Sequence, residues 1–564
     1  MRLALLFLAL HLAAHAADVR NTSTPNTDTP ASFTAPADTK TWESRRAALK
    51  SQILSAAGLV PMPAKTPLNP LVFGRLQRDG YTVEKVALET RPGYWLGGNL
   101  FRPAAAGKHP AVLQPHGHWN YGRLESQPLN SPATLAANLA RRGFVVFNYD
   151  MAGYTDTAQT PHDFSNRVFQ LWSFTPLGLQ LWNSIRALDF IASLAGVDPT
   201  RIAITGASGG GTQTFLLAAV DSRIALSAPV NMVSGLMQGG CICENAPGLR
   251  IGANNIEIAA TFAPKPMLLV AATGDWTKNV PKVEFPAIRA AYDLYGKPEM
   301  VEAVQFDSPH NYHQESREAV YEFLRKHFTP ETAPFKERGD GIEKLQDTLV
   351  WDRKPLPAHA RTFEQIFDEW KAEARRQVLA ATPADLKQRL RLALSVQWPQ
   401  TPASLGGPVP QRFIEGKSPV LYLHPDGIDA ALNSAAVKAL QAAGRGVLLI
   451  DAFQTGTAKA PRDRSHRHFL TFNPSDDQAR VQDVLSALRW LHDRGNALEI
   501  QAEGDARWWA LFAAAAAPVP VRFSAPPATF DVTDEKLAAT FFVPGLQRAG
   551  GAAAALRTIS MQNR

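Results

Sequence analysis

The clearest chemical signal in the sequence is a serine among glycines, Gly206-Ala207-Ser208-Gly209-Gly210. The apolar run RIAIT precedes it and TQTFLLAAV follows it, which predicts a strand, a sharp turn and a helix. Glycine two positions before and two positions after the serine removes side chains that would clash in such a turn. The pattern therefore predicts a nucleophile elbow, with Ser208 Oγ exposed at the carboxyl edge of a sheet.

A serine nucleophile needs a base and an acid that orients the base, and both are found further along the chain. In an α/β-hydrolase the chain order is serine, acid, histidine. Asp275 follows the apolar strand PMLLVAATG, and His310 follows the strand in VEAVQFDS. We therefore predict a triad of Ser208, Asp275 and His310.

Three nearby residues offer alternatives to this triad. His313 lies three positions after His310, and it is either a second choice of base or a residue that lines the substrate cleft. Asp307 is a competing acid, but it lies on the same loop as His310 and is poorly placed to orient that ring. Glu244, in a long loop before the Asp275 strand, is another candidate acid.

Ester hydrolysis through a serine also needs two N–H donors for the oxyanion, and losing one of them costs on the order of 3 kcal/mol. The backbone N–H of Gly209 is the first candidate, because it directly follows the nucleophile. The second should come from the loop HGHWNYGR, which follows the strand PAVLQP. We assign it to His118, with Gly117 and Trp119 as alternatives.

The loop MQGGCICENAPGLRIGANNIE should arch over the carboxyl edge of the sheet, where ligands bind in such folds. Within it, Arg250 either grips a substrate carboxylate or forms an ion pair with a neighbouring glutamate. Trp119, Trp172 and Trp276 are predicted on loops around the site, where they form either a platform for sugar rings or part of the core.

No metal site is predicted from the sequence, which has neither an H-E-x-x-H motif nor a CxxC pair. The mechanism requires no cofactor. Cys241 and Cys243 are the only cysteines, and one residue separates them. A bridge across that gap would be strained, so we expect free thiols or packing residues, and their redox state stays open.

From Gly80 onward, apolar strands alternate with amphipathic helices, which predicts an α/β-hydrolase fold: a mostly parallel sheet with helices on both faces. Near the end of the chain the same order returns, and LEIQAEGDARWWALFAAAA aligns without gaps on IAITGASGGGTQTFLLAAV. Gly504 then takes the place of Ser208. We predict a second, shortened and degenerate α/β-hydrolase-like domain without a nucleophile.

The N-terminal stretch MRLALLFLALHLAAHAA has one basic residue, a short apolar run and a small-x-small site, which is typical of a secretory signal peptide. The chain is therefore expected to be exported, either to a periplasm or to the medium, and to have no membrane span. The predicted divisions are a signal peptide at 1–16, a disordered tether at 17–40, a catalytic domain at 41–330, a helical connector at 331–417 and the degenerate domain at 418–564.

Composition argues against nucleic-acid binding. The formal charge of +7 is small for 564 residues, and no long run of lysine and arginine occurs. A slight basic excess fits a polyanionic substrate only weakly, and drift of surface charge is the better explanation.

Taken in order, HGHW, VDPTRIAITGASGGGTQT, MQGGCICENAPGLR, TGDWTKN and HNYHQESREAVYEFL resemble the bacterial acetylxylan-esterase-like α/β-hydrolases, relatives of the dienelactone hydrolases. The resemblance covers residues 41–330. It implies Ser208 as nucleophile, Asp275 as acid and His310 as base. It also implies a carbohydrate esterase that removes acetyl or methyl ester groups from plant polysaccharide fragments.

Other functions are compatible with the same residues. A uronic-acid (pectin-type) methylesterase or a serine peptidase would use the same triad, and a non-catalytic carbohydrate-binding protein would use none. The sequence does not distinguish the ester or the sugar, and it does not give the oligomeric state or the role of the C-terminal region.

Overall fold

The computed structural model describes residues 18–330, 333, 336–339, 342–352, 354–400 and 409–562. The predicted signal peptide at 1–16 lies outside these residues. Fourteen strands in the described residues form two sheets. The first sheet contains β1 Leu71–Arg78, β2 Tyr81–Arg91, β3 Tyr94–Pro103, β4 His109–Pro115, β5 Val145–Tyr149, β6 Val197–Ala207, β7 Leu226–Val230, β8 Met267–Gly274 and β9 Val301–Pro309.

The strand order of this sheet is β1-β2-β3-β5-β4-β6-β7-β8-β9. The first three strands and β5 pair antiparallel, and every later pairing is parallel. Strands β4, β5 and β7 are buried along nearly their whole length, and β6 is buried from Ile202 to Ala207, as continuous apolar runs in a covered parallel sheet require. This arrangement brings the carboxyl ends of β6, β8 and β9 to one edge, and the α/β-hydrolase fold is confirmed.

The second sheet contains β10 Gln411–Ile414, β11 Lys417–Leu423, β12 Arg445–Ile450, β13 Leu498–Ala502 and β14 Val521–Phe523. Its order is β10-β12-β11-β13-β14, with β10 antiparallel and the other pairings parallel. This order matches β3-β5-β4-β6-β7 of the first sheet strand for strand. The matching order supports the predicted repeat, while the division into separate domains stays a prediction.

Nineteen α-helices in the described residues cover and connect the two sheets. They are α1 Val19–Thr22, α2 Thr39–Ala56, α3 Pro132–Arg141, α4 Arg167–Leu171, α5 Pro176–Ser193, α6 Gly209–Val220, α7 Asn255–Ala260, α8 Glu284–Asp293, α9 Gln314–Phe328, α10 Leu345–Thr348, α11 Phe363–Leu379, α12 Pro383–Leu394, α13 Ile428–Asn433, α14 Ala435–Ala442, α15 Phe469–Phe472, α16 Asp476–His492, α17 Ala506–Ala516, α18 Asp534–Thr540 and α19 Gly551–Gln562.

Sequence signals explain several of these helix boundaries. Thr175 caps α5, with proline at the first helical position, and Thr362 opens α11 with a capping box. Helix α6 begins at the glycines after Ser208 and is buried nearly throughout, so it packs directly beneath the turn.

One apolar core joins the two sheets. A single buried cluster includes Leu113 and Ile204 of the first sheet together with Leu421 and Ile500 of the second. Trp370 of α11 belongs to the same cluster, so the predicted connector is part of the core where it is described. Residues 401–408 of that connector lie outside the described part of the chain.

The prediction of a disordered tether is wrong for the described part of that segment. Residues 18–38 lie against both sheet units and include α1. Arg20 pairs with Asp483 at 2.8 Å, and the N–H of Ala31 donates to the carbonyl of Gly235 at 2.7 Å. Low apolar content predicted disorder, but backbone hydrogen bonds and one buried ion pair hold the segment instead.

Among the described helices, none is both long enough and apolar enough to cross a bilayer.

Candidate active site

Ser208 lies in a strained turn between β6 and α6. Its φ of 59° and ψ of −125° are unusual for a residue with a side chain. Two hydrogen bonds hold the turn: Ser208 N–H donates to the Val230 carbonyl at 3.1 Å, and Thr212 N–H donates to the Ser208 carbonyl at 3.0 Å. The sequence therefore forms the elbow that the glycine spacing predicted.

Neighbouring glycines are needed for close packing rather than for unusual backbone angles. A Cβ on Gly206 would lie 2.4 Å from the Pro115 carbonyl oxygen, and one on Gly210 would lie 2.5 Å from the same atom. The elbow thus packs against the end of β4, where any larger residue would push the two strands apart.

Asp275 and His310 are brought together at the ends of β8 and β9. Nδ1 of His310 lies 2.8 Å from Oδ2 of Asp275. The other carboxylate oxygen, Oδ1, accepts hydrogen bonds from the N–H and hydroxyl of Thr277, at 2.7 and 2.5 Å. The Asp275 side chain is only 2% exposed, so its orientation is fixed from both oxygens.

Two tryptophans flank the His310 ring. Trp119 is parallel to it, with ring centroids 6.1 Å apart, and Trp276 is tilted against it at 4.4 Å. Among the described residues, Nε2 of His310 has no hydrogen-bond partner. With Nδ1 held by Asp275, this free nitrogen is the atom available to accept a proton.

The competing acids are engaged elsewhere. Asp307 accepts a hydrogen bond from the Thr273 hydroxyl at 2.5 Å on the exposed rim. Glu244 is buried, where it accepts from the Thr212 hydroxyl at 2.9 Å and from the N–H of Cys241 at 3.0 Å. Neither carboxylate bonds to His310 in the described structure.

The assignment of His313 to the substrate cleft does not fit the structure. His313 is the N-cap of α9, and its Nδ1 lies 2.9 Å from the Ser316 hydroxyl. Its Nε2 lies 3.0 Å from the Glu315 carboxylate, so both nitrogens are occupied. A short polar turn before a helix places histidine where a cap is needed, which the sequence spacing did not reveal.

Arg250 is likewise unavailable to a substrate. It is 2% exposed and donates to Asn255 Oδ1 at 2.9 Å, to the Glu244 carbonyl at 2.9 Å and to Asn245 Oδ1 at 3.0 Å. Burial lowers the pKa of Arg250 to about 10. The arginine holds its own loop together instead of reaching into the cleft.

Trp172, by contrast, is buried in the core, and its indole N–H donates to Asp534.

The side chain of His118 lies against Gly209, the residue that carries the other predicted oxyanion donor. A Cβ on Gly209 would lie 2.5 Å from Cε1 of His118, so the imidazole rests on the residue after the nucleophile. Trp119 N–H is already used, donating to the Gly117 carbonyl at 3.0 Å. In the described residues the N–H groups of Gly209 and His118 have no acceptor, which leaves both free for an oxyanion.

His116 fixes the loop that holds His118. Its Nδ1 donates to the Gly117 carbonyl at 2.7 Å, and its Nε2 accepts from Met151 N–H at 3.0 Å. Burial lowers the pKa of His116 to about 3. The ring is therefore neutral, and its role is to hold the loop in place.

A cluster that the sequence did not predict lies beside the elbow. It consists of His118, His162, Cys241 and Cys243, whose side-chain nitrogen and sulfur atoms all lie within 4.8 Å of one another. Burial opposes the charged form of His118, but hydrogen bonding to Cys241 and the nearby Glu244 outweigh it and raise the pKa of His118. Hydrogen bonding to Cys243 and to the two histidines lowers the pKa of the Cys241 thiol.

A cavity of about 650 Å³ lies between the two sheet units. One wall is formed by Ile242 and Asn245, from the loop after β7 that contains both cysteines. Another wall is formed by Arg464, Arg467 and His468. Ser208, Asp275 and His310 are not among its lining residues.

Comparison with known proteins gives relatives among hydrolases. No family model matches the chain. The chain is 25% identical over 306 residues to a Bacillus subtilis protein named "Putative hydrolase YtaP", a match that covers 50% of this chain and 99% of that protein. A 4-O-methyl-glucuronoyl methylesterase of Podospora anserina is 30% identical over 150 residues, which is 25% of this chain and 27% of that enzyme.

Solved structures give neighbours of the same kind. The methylesterase BT1017 is 29% identical with a TM-score of 0.49, over 61% of this chain and 78% of that one. Acetyl xylan esterases and glucuronoyl esterases are also among the matching structures. The sheet order and the strained serine turn are those of an α/β-hydrolase fold, and the proteins that the chain resembles are named as hydrolases and esterases.

Proposed function

We propose that the chain is a serine carboxylic-ester hydrolase in which Ser208, Asp275 and His310 form the triad. The observation that supports this most is the Asp275–His310 hydrogen bond of 2.8 Å at the sheet edge that also holds the strained Ser208 turn. Nδ1 of His310 is committed to the carboxylate, and Nε2 is free for proton transfer.

The reaction has two steps. Ser208 Oγ attacks the ester carbonyl and passes its proton to Nε2 of His310, while the N–H groups of Gly209 and His118 stabilise the oxyanion. The alkoxide leaving group takes that proton, and an acyl-enzyme remains. His310 then activates a water molecule, which releases the acid and restores the serine. Asp275 stabilises the imidazolium at both stages.

The substrate we propose is an ester on a plant cell-wall polysaccharide or oligosaccharide, with two candidate ester types. The resemblance to acetylxylan-esterase-like proteins favours an acetyl group. The 30% identity to a 4-O-methyl-glucuronoyl methylesterase favours a uronate methyl ester. Arg250 does not supply the carboxylate contact that a uronate would use, because it is buried. Trp119 and Trp276 are the surfaces beside His310 on which a sugar ring could stack.

Product release separates these candidates. Acetate from acetylated xylan and methanol from methyl-esterified pectin and methyl 4-O-methyl-glucuronate are measured with the wild type and with Ser208→Ala. We expect one product to be released by the wild type, with a loss of about 10⁴-fold or more in the variant. Ser222→Ala, an exposed serine beyond the far end of α6, is the matched control and should retain full activity.

If Ser208→Ala equals the wild type on every ester, the nucleophile assignment is wrong. Failure of Ser208 to react with a serine-directed phosphonate would then favour a carbohydrate-binding protein, and amide turnover lost in Ser208→Ala would favour a peptidase.

We also propose that the chain is exported, on the basis of its N-terminal sequence. The periplasmic or secreted form is expected to begin at Ala17, which mass spectrometry of the intact protein can check.

A further inference from the structure

The cluster beside the elbow gathers four metal-binding side chains from three loops. His118 comes from the loop after β4, His162 from the loop after β5, and Cys241 and Cys243 from the loop after β7. Cysteine sulfur and histidine nitrogen are the donors that zinc prefers in structural sites. These four side chains make a complete set of zinc ligands without any carboxylate or backbone oxygen.

Distances within the cluster suit a single small ion. Nε2 of His118 lies 3.0 Å from Sγ of Cys243, and Nε2 of His162 lies 3.4 Å from Sγ of Cys241. Bond lengths of about 2.3 Å to sulfur and 2.0–2.1 Å to nitrogen would place tetrahedral ligands roughly 3.3–3.8 Å apart. Small movements of the four side chains would therefore admit the ion.

Surrounding hydrogen bonds already orient the ligands. Nδ1 of His162 lies 2.7 Å from the Ala152 carbonyl, which makes Nδ1 the donor and leaves the lone pair of Nε2 facing Cys241. On the cysteine loop, Glu244 accepts from the N–H groups of Gly240 and Cys241. Asn245 donates to the Cys241 carbonyl at 2.8 Å, so the loop is braced on both sides.

We propose that His118, His162, Cys241 and Cys243 bind one zinc ion in a closed, four-ligand structural site. Both sulfurs bind as thiolates, and their protons pass to solvent when the ion enters. Because all four positions are filled by the protein, the ion does not contact substrate. Its role is to tie the His118 loop, which supplies a proposed oxyanion donor, to the loops on either side of Ser208.

The expectation of no metal site is revised by this proposal. Familiar zinc motifs place two ligands two to four residues apart. Here one residue separates the cysteines, and the histidines lie on two distant loops, so only the folded chain brings the donors together.

The test measures metal content without using activity. Wild-type protein, purified after growth with zinc and dialysed against a weak chelator, is analysed by inductively coupled plasma mass spectrometry. We expect one zinc per chain, with stoichiometry falling close to zero in Cys241→Ser and His162→Ala. His466→Ala changes a histidine of the second sheet unit that pairs with Asp463, and it should keep the full zinc content.

Cobalt and thiol chemistry provide independent readouts. Replacing zinc with Co²⁺ should give the visible absorption of a tetrahedral ion and a thiolate charge-transfer band, both lost in Cys241→Ser. Alkylation of the two cysteines should be slow until a strong chelator is added. Circular dichroism checks that each variant is folded.

Two outcomes would overturn the proposal. One is wild-type protein without zinc whose thiols alkylate at once, and the other is a native mass lower by two hydrogens, which would mean a Cys241–Cys243 disulfide. Either result leaves the esterase proposal intact, because that proposal is tested through Ser208.

Discussion

At the scale of single residues, the two candidate acids provide a matched test of the triad. Asp275→Asn would leave the His310 contact in place but favour the wrong ring tautomer, and we expect kcat for ester hydrolysis to fall by about 10⁴-fold. Asp307→Asn changes an exposed carboxylate that bonds to Thr273, and its kcat should stay within about twofold of the wild type. Equal losses in both variants would mean that the acid has been misassigned.

Arg123 gives a second residue-scale prediction, about stability. Its guanidinium is fully buried and pairs with Asp150 and Asp156 near the end of β5. Arg123→Met would leave two buried carboxylates without their partner, and the free energy of unfolding at neutral pH should fall by about 3–5 kcal/mol. Arg467→Met, whose ion pair with Asp163 is largely exposed, should change it by less than about 1 kcal/mol.

The Arg123 prediction has a definite pH dependence. Burial raises the pKa of Asp150 to about 6 despite the nearby Arg123. A folded pKa above the ordinary value near 4 means that protonated Asp150 favours the folded state, and that this contribution is lost as pH rises through about 6. In urea denaturation, Arg123→Met should therefore lower the free energy of unfolding less at pH 5 than at pH 8. A larger loss at pH 5 than at pH 8 would contradict this account.

Local geometry was predictable from the sequence where a short motif sets it. The glycines predicted the strained turn at Ser208, and a buried strand directly before Asp275 predicted its position near His310. Arg250 and His313 were misjudged, because whether a charged side chain faces a cleft or a loop interior depends on contacts from distant segments. The zinc cluster was missed for the same reason.

At the scale of elements, the contact between the elbow and β4 can be tested with a single methyl group. Gly206→Ala would place Cβ 2.4 Å from the Pro115 carbonyl, so β4 and β6 must separate. We expect a loss of roughly 1–3 kcal/mol in the free energy of unfolding, together with lower kcat as the Ser208 turn shifts.

The matched control for Gly206→Ala is Gly196→Ala. At Gly196, before β6, the nearest atom to an added Cβ is 3.7 Å away, and φ is not positive. The melting temperature and the kcat of this variant should equal those of the wild type. A wild-type melting temperature for Gly206→Ala would mean that the elbow is looser than its geometry suggests.

Most elements were predicted from apolar runs and caps, but the edge strands β1 and β14 were not. Strand β1 has only exposed and half-buried residues in no regular alternation, and β14 has only three residues, so neither has a strong apolar pattern. Strand β7 was missed although it is buried, because its run LSAPV contains a proline that reads as a turn.

At the scale of the whole molecule, the shared core predicts that the two sheet units unfold together. Gly545 N–H donates to the Gln170 carbonyl, and Gly248 N–H donates to the Leu470 carbonyl, each at 2.8 Å. With one apolar cluster spanning both units, calorimetric and van't Hoff enthalpies should agree in a single transition. Two separated transitions would show that the units are independent.

A shortened chain provides the complementary experiment. A protein ending at residue 330 would expose the face that packs against α11, α12 and α18, and we expect it to aggregate. A soluble fragment with one sharp melting transition would contradict this expectation.

Gly504 takes the place of Ser208 in the second sheet unit, and its φ of 50° keeps the backbone twist of a nucleophile turn without any nucleophile. The second sheet unit thus has the strand order of five strands of the first and a similar turn, with glycine instead of serine at that turn. Natural selection should then act on different properties of the two sheet units. Substitutions near Gly504 should lower the yield of folded protein. Substitutions near Ser208 should lower the rate of ester hydrolysis.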